Sequence, residues 1–404
     1  MSEQKTSSQL LIHVSLLAAL TVWAVMSLNA DLSKRNDWPT FRNEPPTVRP
    51  LYDDENVIPD ADLEAVLWKL RPQLRSPQEK INHIDHALRM WSPVASFSDP
   101  NCISGLEMLE LMLDNRKFRN SYGDNFKPLM YLDEYGVRVR VQEGAGSSSH
   151  VDHTIAGLSE VGVPLDYPVV TETGETTVAA ILDAALKNFR INQFEYEWST
   201  LAFAHYLEPT EGWHSREGEW ITFDRMAERI MRQRLVEGVC RGNHRLHTLT
   251  MLLRIDDNQP LLSPEMRTKI IAHLRDVTDR LIQTQQAEGF WNPEWPGDEW
   301  DGPQDVEGLP LGIKADRILV TGHTLEWWAL APEELQPPRE VVVKAAQWLN
   351  TTIQELSPGE VKSYYTFLTH AGRALAMWRG QFPHEVITPE FELESIHSTL
   401  LPAE

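Results

Sequence analysis

Six of the fourteen histidines in this 404-residue chain each lie in a segment whose apolar residues have helical spacing. Apolar residues three and four apart lie on one face of a helix, so each segment predicts a helix that starts close to its histidine. Successive members of this set of six are 67, 52, 39, 79 and 47 residues apart, and several of these intervals match one helical hairpin. Repetition at that period is typical of helical arrays. The histidines are His86, His153, His205, His244, His323 and His370.

The fold class predicted from these patterns is all-α. Longer amphipathic segments alternate with the histidine segments, which predicts an α/α toroid of paired inner and outer helices, with an open solenoid as the alternative. Only residues 135–142 alternate like a strand, and we expect a short hairpin arm there. A first helix is predicted from Asp60 to Pro72. Further helices are expected over residues 79–92, 103–114, 176–190, 196–207, 221–236, 243–255, 263–286, 322–331, 338–354 and 363–378.

A closed ring would place the histidines together. Its inner helices would run parallel, so that their N-terminal ends crowd one mouth of a central cavity. Helix N-termini are the positive ends of the helix dipole and favour neutral imidazoles and bound anions. We therefore predict a functional site at this mouth, while the alternative is that each histidine caps or packs at its own helix.

The N-terminus carries a targeting signal. Residues 10–28 form an apolar run of nearly membrane-spanning length, which predicts an uncleaved signal anchor or a signal peptide cut after Ala30. The expected layout is residues 1–30 as this hydrophobic helix, 31–59 as a proline-rich linker or wrapping arm, and 60–404 as the toroid domain. Anchoring in a lipid bilayer favours an extracytoplasmic location, periplasmic or at the cell surface, over a cytoplasmic one.

The net charge bears on the possible binding partners, and the cysteine content bears on disulfide bonds. The formal charge of −22 repels phosphate backbones, so nucleic acid is not expected as a partner. Cys102 and Cys240 are too few for a disulfide framework; they either form one bridge or remain free thiols.

One segment carries a family resemblance. Gln285, Gly289 and Trp291 follow a predicted helix with the spacing Q-x-x-x-G-x-W, which resembles the repeat motif of terpenoid cyclases. The resemblance implies the α/α toroid of the terpenoid cyclase and protein prenyltransferase group. In that motif the glutamine and tryptophan have a structural role, because they tie the end of an outer helix to the next hairpin.

The same group implies a catalytic acid. Its acidic motif is matched here only by Asp152 and Thr154, with His150 and His153 in place of the flanking acids. Alkene or epoxide protonation needs a protonated acid in a dry cavity, whereas a neighbouring histidine would hold Asp152 ionised. These histidines and Asp152 are equally compatible with metal ligands and their orienting carboxylate.

Prenyltransferases of this architecture bind zinc through an aspartate, a cysteine and a histidine. Cys240 and His244 are the candidate zinc ligands here, with Asp152, His247 or His323 as a third. The alternative is that Asn243 caps the helix while the histidines make ordinary polar contacts.

A second resemblance points to carbohydrates. "TGHTLEWW" is similar to a segment of sugar 2-epimerases that begins an inner helix, which implies His323 and Glu326 as an acid/base pair. The loop 290–310 interleaves Trp291, Trp295 and Trp300 with carboxylates. Such a loop suits sugar stacking or Ca²⁺ binding, and a solvated acidic loop pinned by buried tryptophans is the alternative.

These features together predict an enzyme with a terpenoid-cyclase-like scaffold, whose catalytic residues are Asp152, His153, His323 and Glu326. The substrate would contact the surrounding side chains of His86, His150, His205, His244, His247, His370, Trp291, Trp295 and Trp300. A carbohydrate-active epimerase, lyase or hydrolase is one alternative, and a non-catalytic toroid that binds protein or peptide is the other.

Overall fold

A computed structural model describes residues 20–21, 38–75, 79–297 and 311–387 of the chain. Helices dominate these ranges, which confirms the all-α class. The helices are α1 (Asp60–Lys69), α2 (Ile81–Trp91), α3 (Gly105–Leu113), α4 (Asn115–Tyr122), α5 (His153–Glu160), α6 (Val178–Asn188), α7 (Glu197–Tyr206), α8 (Phe223–Arg232), α9 (Asn243–Asp256), α10 (Pro264–Thr284), α11 (Ile313–Leu330), α12 (Arg339–Glu355), α13 (Pro358–Ser363), α14 (Tyr365–Met377) and α15 (Pro383–Ile387).

Strands form three short antiparallel hairpins within the described ranges. They pair β1 (Met130–Leu132) with β2 (Val137–Val139), β3 (Pro168–Val170) with β4 (Glu175–Thr177), and β5 (Trp213–His214) with β6 (Trp220–Ile221). The first hairpin confirms the arm expected at 135–142. The other two were not predicted, because strands of two or three residues are too short to reveal an alternating pattern.

Six helices, which we call the inner helices, contact one another in cyclic order. They are α2, α5, α7, α9, α11 and α14; each packs against the next, and α14 packs against α2. Inner helix α7 is buried along its whole length. By contrast, α8 buries only one stripe, Phe223, Met226, Ala227 and Ile230, as expected of an outer helix with one face in solvent.

The inner helix α11 corrects one predicted boundary. The sequence pattern predicted a helix over 322–331, but α11 begins at Ile313. Nearly all of its residues from Ala315 onward are buried, including Asp316, so no polar face alternates with the apolar one. A helix enclosed on all sides does not show the 3.6-residue period that reveals where it starts.

Residues 38–59, which we call the arm, cross the C-terminal ends of inner helices. Its backbone N–H groups donate to carbonyls at the ends of α7, α11 and α14: Arg42 to Tyr206 at 2.7 Å, Leu51 to Ala329 at 3.2 Å and Asp54 to Trp378 at 2.9 Å. These three helix ends therefore lie on one side of the domain, so α7, α11 and α14 run in the same direction.

The expected N-terminal hydrophobic helix lies almost wholly outside the described residues, since only Leu20 and Thr21 of the run 10–28 are described. Within the described ranges, no helix combines the length and the hydropathy needed to span a bilayer. Residues 31–37 of the predicted linker and Trp300 also lie outside the described part of the chain.

The Q-x-x-x-G-x-W motif joins three helices. The Gln285 side-chain amide donates to the carbonyl of Gly289 at 2.9 Å and to that of Val341, in α12, at 2.8 Å. Gly289 has a φ of +111°, and an added Cβ would lie 2.3 Å from the Lys344 carbonyl oxygen, so only glycine fits there. The motif thus has the structural role expected from the sequence, which is to tie the end of one helix to the next hairpin.

Close packing of α11 on α14 gives a first prediction. A Cβ added at Gly322 would lie 2.9 Å from the backbone of Ala371, so we expect Gly322→Ala to lower the free energy of unfolding by about 1–3 kcal/mol. The matched change Gly157→Ala, in α5, meets nothing closer than Arg89 Cβ at 3.8 Å. It should raise stability by about 0.5–1 kcal/mol, because alanine favours helices. Urea unfolding measures both, and equal stabilities of the two variants would contradict this packing.

Candidate functional site

Six histidine side chains meet between the inner helices, and we call them the histidine cluster. Five belong to α2, α5, α9, α11 and α14, and the sixth, His150, lies in the loop before α5. Their ring centroids are separated as follows: His86–His153 4.5 Å, His86–His370 5.7 Å, His150–His153 6.0 Å, His150–His244 6.5 Å, His244–His323 4.8 Å, His244–His370 5.6 Å and His323–His370 3.6 Å.

The histidine cluster contains five of the six histidines singled out by their spacing. The expectation that each lies near a helix start is wrong for most of them. Only His153 and His244 do; His86, His323 and His370 are in the middle of their helices. His205 is the penultimate residue of α7 and lies outside the cluster, where its Nδ1 bonds to the Leu201 carbonyl. The helical period of apolar residues shows which face of a helix a residue occupies, but not how far along the helix it lies.

Hydrogen bonds fix the tautomer of five cluster rings. In each ring Nδ1 contacts a carbonyl or a carboxylate, which can only accept, so Nδ1 carries the proton and Nε2 keeps its lone pair. The contacts are His86 to Asn82 O at 2.8 Å, His323 to Leu319 O at 2.8 Å, His153 to Asp85 Oδ2 at 2.9 Å, His150 to Glu195 Oε2 at 2.8 Å and His370 to Glu326 Oε2 at 2.7 Å.

Four imidazoles of the histidine cluster are held neutral. Burial lowers the pKa of His86, His244 and His323 well below the ordinary value, and neighbouring imidazoles lower it further. Burial also lowers the pKa of His370 to about 4, although Glu326 opposes it. For Asp85, burial raises the pKa, but the contacts with His153, Ser148 and Thr154 outweigh it and leave it lowered. The site thus combines neutral imidazoles with an ionised orienting carboxylate.

Cys240 reaches the histidine cluster from the turn Val239–Gly242, before α9. Its thiol, His244 and His323 offer ligand atoms that all lie within 4.8 Å of one another. The two histidine Nε2 atoms are 3.2 Å apart. Of the third ligands considered, His323 is therefore the one that the fold brings to Cys240 and His244. Both cysteines are free thiols, and burial raises the pKa of Cys240.

The alternative role for Asn243 is not observed. Gly242, with a φ of +80°, occupies the position before α9, and no side chain caps the helix. The Asn243 amide instead donates to the Cys240 carbonyl at 2.9 Å and so ties the turn that carries the thiol.

Unusual backbone conformations concentrate around the same site. Six described residues other than glycine have a positive φ, and four of them surround the histidine cluster: Asp152 (58°), Glu195 (56°), Cys240 (51°) and Arg241 (57°). Side chains disfavour this left-handed region, and such strain persists mainly where function requires it. The sequence could not reveal these positions, because none of them is a glycine.

Four charged residues next to the histidine cluster form a group that we call the ion-pair layer: Arg89, Glu160, Glu326 and Arg373. Glu160 is 8% exposed, and the other three are at most 5% exposed. Arg89 bonds to Glu160 at 2.5 Å and to Glu326 at 2.8 Å, and Arg373 contacts both glutamates. Burial opposes ionisation of the glutamates, but the arginines and histidines outweigh it and hold both pKa values well below the ordinary range.

The ion-pair layer changes the role predicted for Glu326. Its carboxylate bonds to His370 and to the two arginines, and no hydrogen bond joins it to His323. The Glu326 carboxylate and the His323 ring nevertheless offer ligand atoms within 4.8 Å of each other. Arg89, Glu160 and Arg373 were not predicted as site residues from the sequence. A signal was present, because Arg89 and Arg373 each follow a cluster histidine by three residues, as Glu326 follows His323.

Several other predicted site residues lie elsewhere. Asp152 accepts a hydrogen bond from Ser199 at 2.5 Å, and burial raises the pKa of its carboxyl group. Its neighbour His153 was expected to hold this carboxyl group ionised, but His153 bonds to Asp85 instead. His247 contacts Glu160 at 2.8 Å in the ion-pair layer. Trp291 and Trp295 are 0% and 3% exposed, so neither offers a ring face to a substrate.

The cluster is more accessible from one side than from the other. A pocket of about 270 Å³ near the arm is lined by Arg89, Glu160 and Arg373, but by no cluster histidine. On the opposite side, the side chain of His150 is 21% exposed and that of its partner Glu195 is 12% exposed. Phe194, next to Glu195, is 70% exposed. His150 is thus the most exposed of the six histidines in the cluster.

No protein-family model matches this chain. No curated protein and no solved structure is significantly similar to it. The chemistry of the histidine cluster is therefore the basis on which a function can be assigned.

Proposed function

We propose that the domain is a closed α/α toroid, the scaffold of the terpenoid cyclase and prenyltransferase group. The cyclic contacts of the six inner helices support closure, since α14 packs against α2. An open solenoid would leave those two helices apart. The arm supports the parallel direction of the inner helices, because it bonds to the C-terminal ends of three of them.

Within this scaffold we propose a metal-dependent enzyme, with Cys240, His244 and His323 holding a zinc ion. The observation that carries this proposal is the convergence of the three ligand atoms within 4.8 Å. Zinc favours thiolate and imidazole ligands, and three protein ligands leave a fourth position open for water or substrate. The Nδ1 contact of His323 with a carbonyl supports the same role, because ligand histidines use their second nitrogen in this way.

His150 and Glu195 are the proposed acid/base pair. A bound zinc ion supplies a Lewis acid that polarises a substrate oxygen or lowers the pKa of a water. The His150 ring lies 6.5 Å from that of His244, and its Nε2 lone pair can accept a proton. Glu195 accepts the Nδ1 proton at 2.8 Å and fixes the ring. Solvent exposure of His150 allows it to exchange the proton with water.

The polar character of the centre favours metal-assisted hydrolysis over the other candidate reactions. Polycyclisation needs an apolar cavity and a strong protonated acid. A sugar hydrolase needs two free carboxylates as acid and base, and an epimerase of the kind that the sequence suggested would use His323 with Glu326; the arginines neutralise both Glu160 and Glu326. The positive-φ residues around Cys240 and the histidines support a built site at this place, since strain of this kind clusters at active sites and ligand clamps.

Cobalt substitution tests the metal site. Purified full-length protein loaded with Co²⁺ should show a thiolate-to-cobalt charge-transfer band, because the proposed site includes a cysteine. Cys240→Ala should abolish the band, and Cys102→Ala, which alters the other free thiol, should retain it. Circular dichroism checks that both variants fold. A wild-type protein without the band, or a Cys240→Ala variant that keeps it, would rule out this site.

A further inference from the structure

We propose that Asn243 is a positioning residue, which fixes the three proposed zinc ligands relative to one another. This inference rests on the proposed zinc site and extends it. Asn243 is the first residue of α9, directly after the turn that carries Cys240 and directly before His244. Its side chain is 0% exposed, and it is not itself a proposed ligand, so it would act through the residues that it holds.

One side of the Asn243 amide holds the cysteine. Its Nδ2 donates to the Cys240 carbonyl at 2.9 Å, and the same carbonyl accepts the Asn243 backbone N–H. Cys240 and Arg241 have φ values of 51° and 57°, a region that side chains disfavour. Two such residues in succession persist only where neighbouring contacts hold them. The bonds from Asn243 hold this turn at the residue that carries the thiol.

The other side of the amide reaches α11. The Thr324 hydroxyl, also 0% exposed, donates to Asn243 Oδ1 at 3.4 Å. Thr324 directly follows His323 in the chain. Asn243 is therefore connected to all three proposed ligands: to Cys240 by hydrogen bonds, to His244 by the chain, and to His323 through the neighbouring threonine.

A second contact joins the same turn to α11. The Arg241 guanidinium donates to the Asp316 carboxylate at 3.3 Å, and Asp316 lies seven residues, or two helical turns, before His323. The turn is thus attached to α11 at two levels, which restrains the Cys240 thiol relative to the His323 ring. It is also closely packed, because a Cβ added at Gly242 would lie 2.7 Å from the Leu235 carbonyl oxygen. Such contacts arrange the ligands before an ion binds.

Asn115 provides the comparison for a purely structural asparagine. It is 6% exposed, its Nδ2 donates to the Met130 carbonyl at 2.7 Å, and its Oδ1 accepts the Met130 N–H at 3.0 Å. It belongs to α4, which contributes no residue to the histidine cluster. Loss of either buried amide should lower stability, but only the loss of Asn243 should change the metal site.

Cobalt titration of the full-length protein tests this role. We expect Asn243→Ala to raise the dissociation constant for Co²⁺ by about 10–100-fold, because contacts that orient metal ligands have effects of this size. Its thiolate-to-cobalt band should also shift, since the thiol is no longer held in its original direction. Asn115→Ala should keep the affinity and the band of the wild type. Thr324→Val should weaken binding in the same direction as Asn243→Ala, whereas Thr324→Ser, which keeps the hydroxyl, should restore wild-type binding.

The outcomes separate this inference from the proposed function. A wild-type protein without the band would overturn the zinc site and the role of Asn243 with it. A wild-type band that is unchanged in Asn243→Ala, at equal affinity, would overturn the positioning role alone. Equal weakening in Asn115→Ala would also overturn it, because lost stability would then explain both effects. If near-UV circular dichroism shows that Asn243→Ala does not fold, the Thr324 pair decides, and equal affinities of its valine and serine variants would contradict the inference.

Discussion

Replacing Glu160 with alanine is expected to lower the free energy of unfolding by about 3–5 kcal/mol. The Glu160 side chain is 1% exposed and contacts Arg89 at 2.5 Å, His247 at 2.8 Å and Arg373 at 3.3 Å. Its removal leaves two buried guanidinium groups sharing the single charge of Glu326. Buried ions without partners cannot recover the hydration that they lost on folding, so the penalty greatly exceeds the value of an ordinary hydrogen bond.

Urea unfolding of the purified protein measures this effect. The matched control is Glu228→Ala, which removes one partner of the exposed Glu228–Arg232 pair in α8 and should cost less than about 0.5 kcal/mol. Because Glu160 and Arg373 share one network, the double alanine variant should lose less stability than the sum of the two single changes. Additive losses, or a Glu160→Ala variant as stable as the control, would contradict the ion-pair layer.

Trp291→Ala is expected to lower the free energy of unfolding by about 3–5 kcal/mol, through loss of buried area and creation of a cavity. The Trp291 side chain is 0% exposed, its Nε1 donates to the Leu281 carbonyl at 2.8 Å, and its ring lies 5.7 Å from that of Trp328. The truncated residue would also remove one hydrogen bond from that helix-end carbonyl, which would keep the one that it accepts from the Gln285 N–H at 3.0 Å.

Thermal and urea unfolding compare this variant with Trp68→Ala. Trp68 is 59% exposed and stacks under Arg71, so its removal should cost no more than about 1 kcal/mol. If Trp291 bound a sugar instead of packing in the core, its alanine variant would keep its stability and lose only ligand affinity. A small loss of stability in Trp291→Ala would therefore favour the substrate-binding role.

The helices that build the site were predictable, because each repeats a histidine within an apolar helical pattern. The arrangement of their side chains was not. Glu195 and His150 are 45 residues apart, and nothing local marks them as partners. Asp85 precedes His86 but bonds to His153, since neighbouring helices bring those two side chains together. Pairings of this kind depend on packing between helices and leave no periodic signal.

The position of Cys240 illustrates the same limit. The sequence indicated that it precedes a helix, but the direction of its thiol depends on consecutive left-handed residues, Cys240, Arg241 and Gly242. Only the last of these is a glycine, the residue that ordinarily marks such a conformation. For His205 the local sequence was misleading. Its pattern matches those of the cluster histidines, but it lies at the C-terminal end of α7 and therefore outside the cluster.

The packing of α14 against α2 also has a consequence for biosynthesis. Arg89 and His370 are in contact although 281 residues separate them in the chain. Contacts of such high sequence separation form late and slow the folding of a domain. During translation the first histidines leave the ribosome long before α14 exists, so the histidine cluster cannot be complete until α14 has been made. The cluster therefore forms at a late step of folding, whereas Cys240, His244 and His323 are all made before α14.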